Sequence, residues 1–226
     1  MKKWSELPQN MQNDAVKKYY DILKTKTASL FLKRFFDILV SSVLIVIVSP
    51  IMLILAICIK IDSKGPVMFR QRRVTTYARV FRIFKFRTMV NDAEKKGTQV
   101  TTNNDPRVTK VGKLIRGCRL DELPQLFNVF LGDMTFVGTR PEVEKYVAAY
   151  TDEMMATLLL PAGITSLASI KYKDEEKLLQ AAENTDEVYI KEVLPEKMKY
   201  NLEALKNFSF FGDIKLMFQT VFAVLK

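Results

Sequence analysis

Between Ile38 and Ile59 the chain runs 22 residues, ILVSSVLIVIVSPIMLILAICI, without a charge. At about 1.5 Å rise per residue, a helix of that length could span a hydrocarbon core of about 30 Å. Pro50 lies near its middle, where it removes a backbone donor and crowds the Val46 carbonyl, so a bend is expected at Ser49-Pro50, with the Ser49 hydroxyl serving a freed backbone group. Six bases precede the run (Lys17, Lys18, Lys24, Lys26, Lys33, Arg34) and six follow it (Lys60, Lys64, Arg70, Arg72, Arg73, Arg79). Cationic flanks prefer the cytoplasmic side, so both ends belong on one face, and a re-entrant helix-break-helix meets that demand better than a kinked crossing or a buried core helix.

Other rhythms flank this run. Val16, Tyr19, Tyr20 and Leu23 fall at helical spacing, which predicts an amphipathic surface helix lying on the membrane or on the domain. VMFRQ and RVFRIFKF are aromatic and β-branched stretches expected to pair as a hairpin. Residues 91–109 are rich in breakers and read as a long loop. Residues 174–205 are charged and helical in pattern, with a break at Pro195. A final apolar helix carries Ile214, Met217, Phe218, Val221, Phe222 and Leu225 on one side; core packing is the favoured reading, lipid docking the alternative. The predicted fold is α+β and mostly helical: an N-terminal amphipathic surface segment (1–30), a re-entrant membrane segment (31–61) and a catalytic domain (62–226) with a small β-hairpin.

Charge narrows the chemistry. Residues 60–119 hold 16 Lys/Arg against 4 Asp/Glu, a net +12 within a chain of net +10, so the remainder sums to −2. Such a block suits nucleic acid, anionic lipid head groups or a phosphorylated substrate, and charge does not choose among them. The sequence has no histidine and two cysteines, Cys58 and Cys118, which excludes His-based triads and the usual zinc sets and fits a reducing compartment. Neither a Walker A pattern nor GxGxxG occurs.

Within that basic block, RLDELPQLFNVF sets two acids ahead of an apolar pattern. Leu123, Leu126, Phe127 and Phe130 recur at i, i+3, i+4 and i+7, predicting a helix over 122–130 with Pro124 in its first turn and Asp121 at or beside the N-cap. Asp121 and Glu122 would then meet the positive end of the helix dipole, and Arg116 and Arg119 also favour their ionised form. An ionised carboxylate there is a candidate nucleophile or metal ligand, provided cations offset the repulsion from phosphate. In GTRPE, Arg140, fixed by Pro141, is a candidate bidentate phosphate ligand. The plain alternative is a capping aspartate beside surface arginines.

KRFFDILVSSVLIVIVSPIMLI, GPVMFRQRR, FRIFKFRTM, LDELPQLFNVFLGDMTFVGTRPE and PAGIT together resemble the bacterial sugar transferases known as monotopic phosphoglycosyl transferases, over about residues 32–165. The resemblance implies that Asp121 attacks the β-phosphate of a nucleoside diphosphate sugar, usually a UDP-sugar, and that polyprenol phosphate then takes the sugar phosphate in a ping-pong scheme. It implies Mg²⁺ at Asp121 and Glu122, a catalytic role for Lys85, and substrate contacts at Arg87, Arg116, Arg119, Arg140 and Pro141. Ser49-Pro50 match the break of the family's re-entrant hairpin. Residence on the cytoplasmic face of the bacterial inner membrane follows, with an anionic bilayer as partner, no nucleic acid, and a homodimer left open. The sequence departs from the family pattern at VTTYARVF, at GTRP and at GITSLASIKY; an aspartate of the family's C-terminal part is matched by Asn201, with Asp186 and Asp213 nearby in sequence. These departures bear on which sugar is used. The competing readings are a non-catalytic binder of anionic membrane surfaces and, more weakly, a nucleic-acid binder.

Overall fold

In the computed structural model, described for residues 1–91, 105–172, 179 and 184–225, helices dominate and the strands form two two-stranded sheets. Helix α1 (Asp14–Lys24) leads into the 36-residue α2 (Thr27–Asp62). Strands β1 (Met68–Val74) and β2 (Val80–Phe86) pair antiparallel, Phe69 opposite Lys85 and Val74 opposite Val80, as the aromatic pattern predicted. Then come α3 (Lys110–Gly117), α4 (Gln125–Leu131), β3 (Met134–Val137), α5 (Glu144–Val147), β4 (Ala162–Thr165) and α6 (Leu167–Lys171). Strands β3 and β4 run parallel. The chain continues through α7 (Thr185–Val188), a π-helical turn over Tyr189–Val193, α8 (Leu194–Lys206) and α9 (Phe210–Leu225). Pro195 does not break the helical course; its missing N–H is absorbed where the π turn gives way to α8. Most of the expected 91–109 loop lies outside the described residues.

One core joins the N-terminal segment to the domain. Val16 and Leu23 are fully buried against Leu158 and Leu159, so α1 packs on the domain with its apolar face. A second core sets Phe36, Val40 and Leu44 of α2 against Phe81, Ile83, Leu126, Val129 and Met134. A third sets Met52 and Ile59 of α2 against Phe86 and Ile115, and Val48 touches both. One face of α2 therefore follows the domain along its length while the other is bare: Val46 is 72% and Ile61 82% exposed. Among the described residues α2 is the one helix long and apolar enough to cross a membrane.

Polar contacts tie both ends of α2 to the same body. Near the start, Asp37 accepts from the Thr135 hydroxyl at 2.7 Å and the Phe136 N–H at 3.2 Å, and Arg34 donates to the Val129 and Phe130 carbonyls that end α4. At the other end Asp62 accepts from the Val111 N–H, and Arg87 donates to the Ser63 and Lys64 carbonyls. Helical structure is continuous through Ser49-Pro50, and the Ser49 hydroxyl donates to the Val46 carbonyl at 2.8 Å, the acceptor that Pro50 leaves without an N–H.

Helix α9 departs from the core-packing expectation. Phe211, Phe218, Val221 and Phe222 are 55–79% exposed, and Leu216 and Met217 make the contacts with the domain. Periodicity identifies an apolar face without saying whether protein or lipid covers it.

Asn128, wholly buried on α4, joins that helix to the hairpin: its Oδ1 accepts from the Phe84 N–H at 2.8 Å and its Nδ2 donates to the Arg82 carbonyl at 2.9 Å. The side chain stands in for a third strand on the open edge of β2. Asn128→Ala would leave both β2 groups without their side-chain partner, a loss of roughly 2–6 kcal/mol at about 1–3 kcal/mol per orphaned group. A thermal scan of the variant in detergent should show a midpoint at least roughly 5 °C below wild type; an unchanged midpoint would refute this role.

Candidate active site

The acidic pair sits in a turn rather than at a helix start. Arg119 takes a left-handed conformation (φ 56°), which ends the course of α3, and residues Leu120–Glu122 then form a single 3-10 turn. Pro124 has no N–H to continue an i to i−4 ladder, so the segment closes with shorter bonds, Leu123 N–H to the Leu120 carbonyl and Leu126 N–H to the Leu123 carbonyl. Helix α4 begins only at Gln125, with Pro124 as its N-cap. The expected helix over 122–130 is thereby corrected, and so is the placement of Asp121 at an N-cap in a helix dipole. Phe130, expected inward, is 44% exposed, while Gln125 and Asn128 are buried in its stead.

Three elements converge on Glu122. Lys85, from β2, donates to its Oε1 at 2.8 Å, and Arg140, from the loop after β3, donates to the same oxygen at 2.7 Å. Burial alone would raise the Glu122 pKa, but Arg140 and Lys85 overcome it and hold the carboxyl well below the ordinary range. Lys85 is moved the other way: burial lowers its pKa and Arg140 lowers it further, against the pull of Glu122.

Asp121 is half-buried and, among the described residues, accepts no side-chain hydrogen bond. Burial pushes its pKa up, Lys85 and Arg116 pull it back, and the neighbouring Glu122 raises it. This corrects the expectation that the surroundings favour the ionised form. One carboxylate is thus clamped and acidic, and its neighbour is unclamped and more basic. A partly desolvated, more basic oxygen that no side chain clamps is the better nucleophile of the two.

The other expected substrate contacts divide. Arg116 donates through Nε to the Thr88 hydroxyl at 2.9 Å and lies close enough to Asp121 to affect its titration. Arg119 is exposed beside the turn. Pro141 is buried, and its carbonyl accepts from Arg73 at 3.1 Å. Arg87 does not bond the acidic pair: it is 6% exposed and its two terminal nitrogens donate to the Lys64 and Ser63 carbonyls past the end of α2, so it anchors that helix to the domain. Asp186 bonds Lys145 and the Tyr146 hydroxyl, Asp213 pairs with Lys33 at 2.5 Å, and Asn201 is buried with its amide on the Met198 sulfur; none of them bonds the acidic pair.

Sequence reasoning missed a buried polar network behind Arg140. Glu142 is 6% exposed and accepts from the Tyr189 hydroxyl at 2.5 Å, with Lys197 3.6 Å away and Arg73 3.9 Å away. It lies two residues beyond Arg140 and holds the loop from below. Tight backbone approach steadies the same loop: Gly163 donates to the Thr139 carbonyl at 2.8 Å, and a Cβ on Gly163 would lie 2.2 Å from the Gly138 nitrogen.

No group of three or more His, Cys, Asp or Glu side chains that could hold a metal occurs among the described residues. Two adjacent carboxylates do suit Mg²⁺, which keeps several waters and is commonly held by one or two carboxylates together with substrate phosphates.

The residues matching the bacterial sugar transferase family model run from 28 to 226. The chain belongs to the bacterial sugar transferase family. As a family member it is 39% identical over 198 residues, 86% of its length, to a UDP-N-acetylgalactosamine-undecaprenyl-phosphate N-acetylgalactosaminephosphotransferase of Aeromonas hydrophila, covering 44% of that protein. It is 38% identical over 195 residues to a UDP-glucose:undecaprenyl-phosphate glucose-1-phosphate transferase of Klebsiella pneumoniae, 84% of this chain and 39% of the relative. A putative undecaprenyl-phosphate N-acetylgalactosaminyl 1-phosphate transferase of Bacillus subtilis is 40% identical over 133 residues, 58% of this chain and 74% of the relative. The sugar transferase chain spans about two-fifths of the length of the first two relatives.

The clamp sets a pH dependence. Because the fold holds Glu122 below its ordinary pKa, its ionised form stabilises the protein above about pH 4.3, its unfolded value, and that contribution fades as pH falls further. The thermal midpoint of wild type relative to Glu122→Gln should therefore be constant near neutrality and decline below about pH 4.5. A difference that stays flat down to about pH 3 would show that the two cations do not hold the charge.

Proposed function

We propose that the protein is a phosphoglycosyl transferase that moves a sugar 1-phosphate from a nucleoside diphosphate sugar, a UDP-sugar by the relatives' names, to polyprenol phosphate, an early step of glycan assembly. The observation that carries this reading is the asymmetry of the acidic pair: Glu122 held by Lys85 and Arg140, Asp121 half-buried and unclamped beside them.

In the first step an Asp121 carboxylate oxygen bonds to the β-phosphorus as the bond from that phosphorus to the bridging oxygen breaks. The nucleoside monophosphate leaves with that electron pair. In the second step a phosphate oxygen of polyprenol phosphate bonds to the same phosphorus and the acyl phosphate bond breaks, freeing Asp121 and yielding the polyprenol diphosphate sugar. No net proton or redox change is required. Lys85 and Arg140 set positive charge next to the reacting phosphoryl oxygens, and Glu122 fixes their positions. Arg116 adds a further cation on the side of Asp121. Asp121 and the Glu122 oxygen left open by the two cations would hold Mg²⁺, which when bound supplies charge neutralisation across the diphosphate.

The ties at both ends of α2 support a membrane placement as well. A domain that grips Arg34 and Asp37 near one end and Asp62 and Ser63 at the other keeps both ends on one side of the bilayer. We therefore read α2 as re-entrant at Ser49-Pro50, with the domain on the cytoplasmic face and the exposed apolar face of α9 against lipid.

The test is capture of the intermediate. Purified protein given a UDP-sugar labelled in the β-phosphate, with Mg²⁺ and no polyprenol phosphate, should release UMP and retain one label on Asp121. Asp121→Asn should abolish both, lowering turnover by roughly a thousandfold or more, whereas loss of a mere cap would leave turnover intact. Normal turnover by a folded Asp121→Asn protein would overturn the proposal.

A further inference from the structure

The first 26 residues lie outside the stretch that matches the family model, and the proposed reaction uses none of them. They nevertheless build a concavity of about 650 Å³ where α1 meets the start of α2. Four lysines line it, Lys2, Lys3, Lys17 and Lys24, against one acid, Asp21. Lys17 and Asp21 pair with each other at 2.5 Å. Lys2, Lys3 and Lys24 are exposed and have no carboxylate partner among the described residues. Three unneutralised ammonium groups around one hollow repel each other unless an anion joins them.

The segment is held in place for this. The Tyr20 hydroxyl donates to the Lys2 carbonyl at 3.1 Å, the Lys2 N–H donates to the Tyr77 hydroxyl at 3.0 Å, and the Lys2 ammonium sits 5.1 Å from the centre of the Tyr77 ring. Tyr77 and Ala78 both adopt left-handed backbone conformations (φ 57°) in the hairpin turn, a strained arrangement for residues with a Cβ. Trp4 packs edge-on against Tyr20 at 5.2 Å in the floor of the hollow. Its rim is Phe31, 71% exposed, followed along α2 by Phe35 at 58% and Leu39 at 52%. Cations are thus placed where the apolar surface of α2 begins, the level at which phospholipid phosphates lie.

We propose that this hollow is a binding site for the phosphate-bearing head group of an anionic phospholipid. Lys2, Lys3 and Lys24 neutralise the head group, and Phe31 meets the first methylenes of its acyl chains. The occupant is a lipid rather than a soluble phosphate because the cationic hollow opens directly onto bare apolar surface. The site is separate from the one that contains Asp121, so its occupancy stands or falls apart from transfer activity.

Trp4 is the single tryptophan of the chain, so its fluorescence reports on this hollow. The full chain in phosphatidylcholine nanodiscs should show a saturable change in Trp4 emission as phosphatidylglycerol content rises. Lys2→Gln/Lys3→Gln/Lys24→Gln should need at least about tenfold more phosphatidylglycerol, since each lysine near an anionic surface contributes measurably. The corresponding triple arginine variant, which keeps the charge, should respond as wild type, which guards against misfolding of the glutamine variant. A glutamine variant that titrates like wild type would overturn the proposal, as would an equal response in phosphatidylcholine alone. Inorganic phosphate that reproduces and saturates the change would overturn it too, assigning the site to a soluble anion.

Discussion

The geometry of the acidic pair depends on one side chain that touches neither acid. Asn128 bonds both backbone groups that β2 would otherwise offer to a third strand, and so fixes the hairpin against α4. Lys85 is one residue beyond Phe84 on that strand, and Glu122 lies in the turn that leads into α4. The 2.8 Å contact between them is therefore a contact between two elements whose separation Asn128 sets. Arg34 and Gly132 act at the other end of α4. Gly132 turns left-handed (φ 87°) to end the helix, and the Arg34 guanidinium takes the Val129 and Phe130 carbonyls so exposed. Helix α2 and the site are consequently parts of one rigid arrangement.

Two adjacent carboxylates in one turn would ordinarily behave alike, and here they are driven apart. Glu122 receives two direct charge-assisted bonds, which outweigh its burial; Asp121 receives none, and its burial outweighs the cations at longer range. Separated titration of a pair is how one position is kept as a fixed charge while the other is left to react. The same clamp offsets the repulsion between Lys85 and Arg140, so the two cations are held together at one carboxylate.

The parts of this structure legible in the sequence are those encoded by local periodicity. The hairpin, the long apolar helix and the presence of the acidic pair followed from alternation, hydropathy and motif. Arg119 misled because nothing in a non-glycine residue announces a left-handed conformation, and that one residue decides that the acids occupy a 3-10 turn. Arg87 misled because its partners, the carbonyls past the end of α2, lie 23 and 24 residues earlier in the chain. Asn128 carried a readable signal, an amide inside an otherwise largely apolar helix, whose burial implies a fixed hydrogen-bonding duty.

A membrane-bound transferase must bring a water-soluble donor and a lipid acceptor to the same phosphorus. Under the proposed function, the basic domain lying along one face of α2 sets the acids on a body continuous with exposed apolar surface. Exposed Leu114 on α3 and Phe130 and Leu131 at the end of α4 extend that apolar surface around the turn that holds Asp121. A nucleophile on a freely tethered domain would face lipid only transiently. Here the polar ties of Arg34, Asp37, Asp62 and Arg87 fix the domain to α2, and the ionic contacts at Glu122 fix the orientation of the acidic turn. Placement relative to α2 thus comes from helix anchoring and the separation of the two acids from electrostatics, and Asn128 is where the two meet.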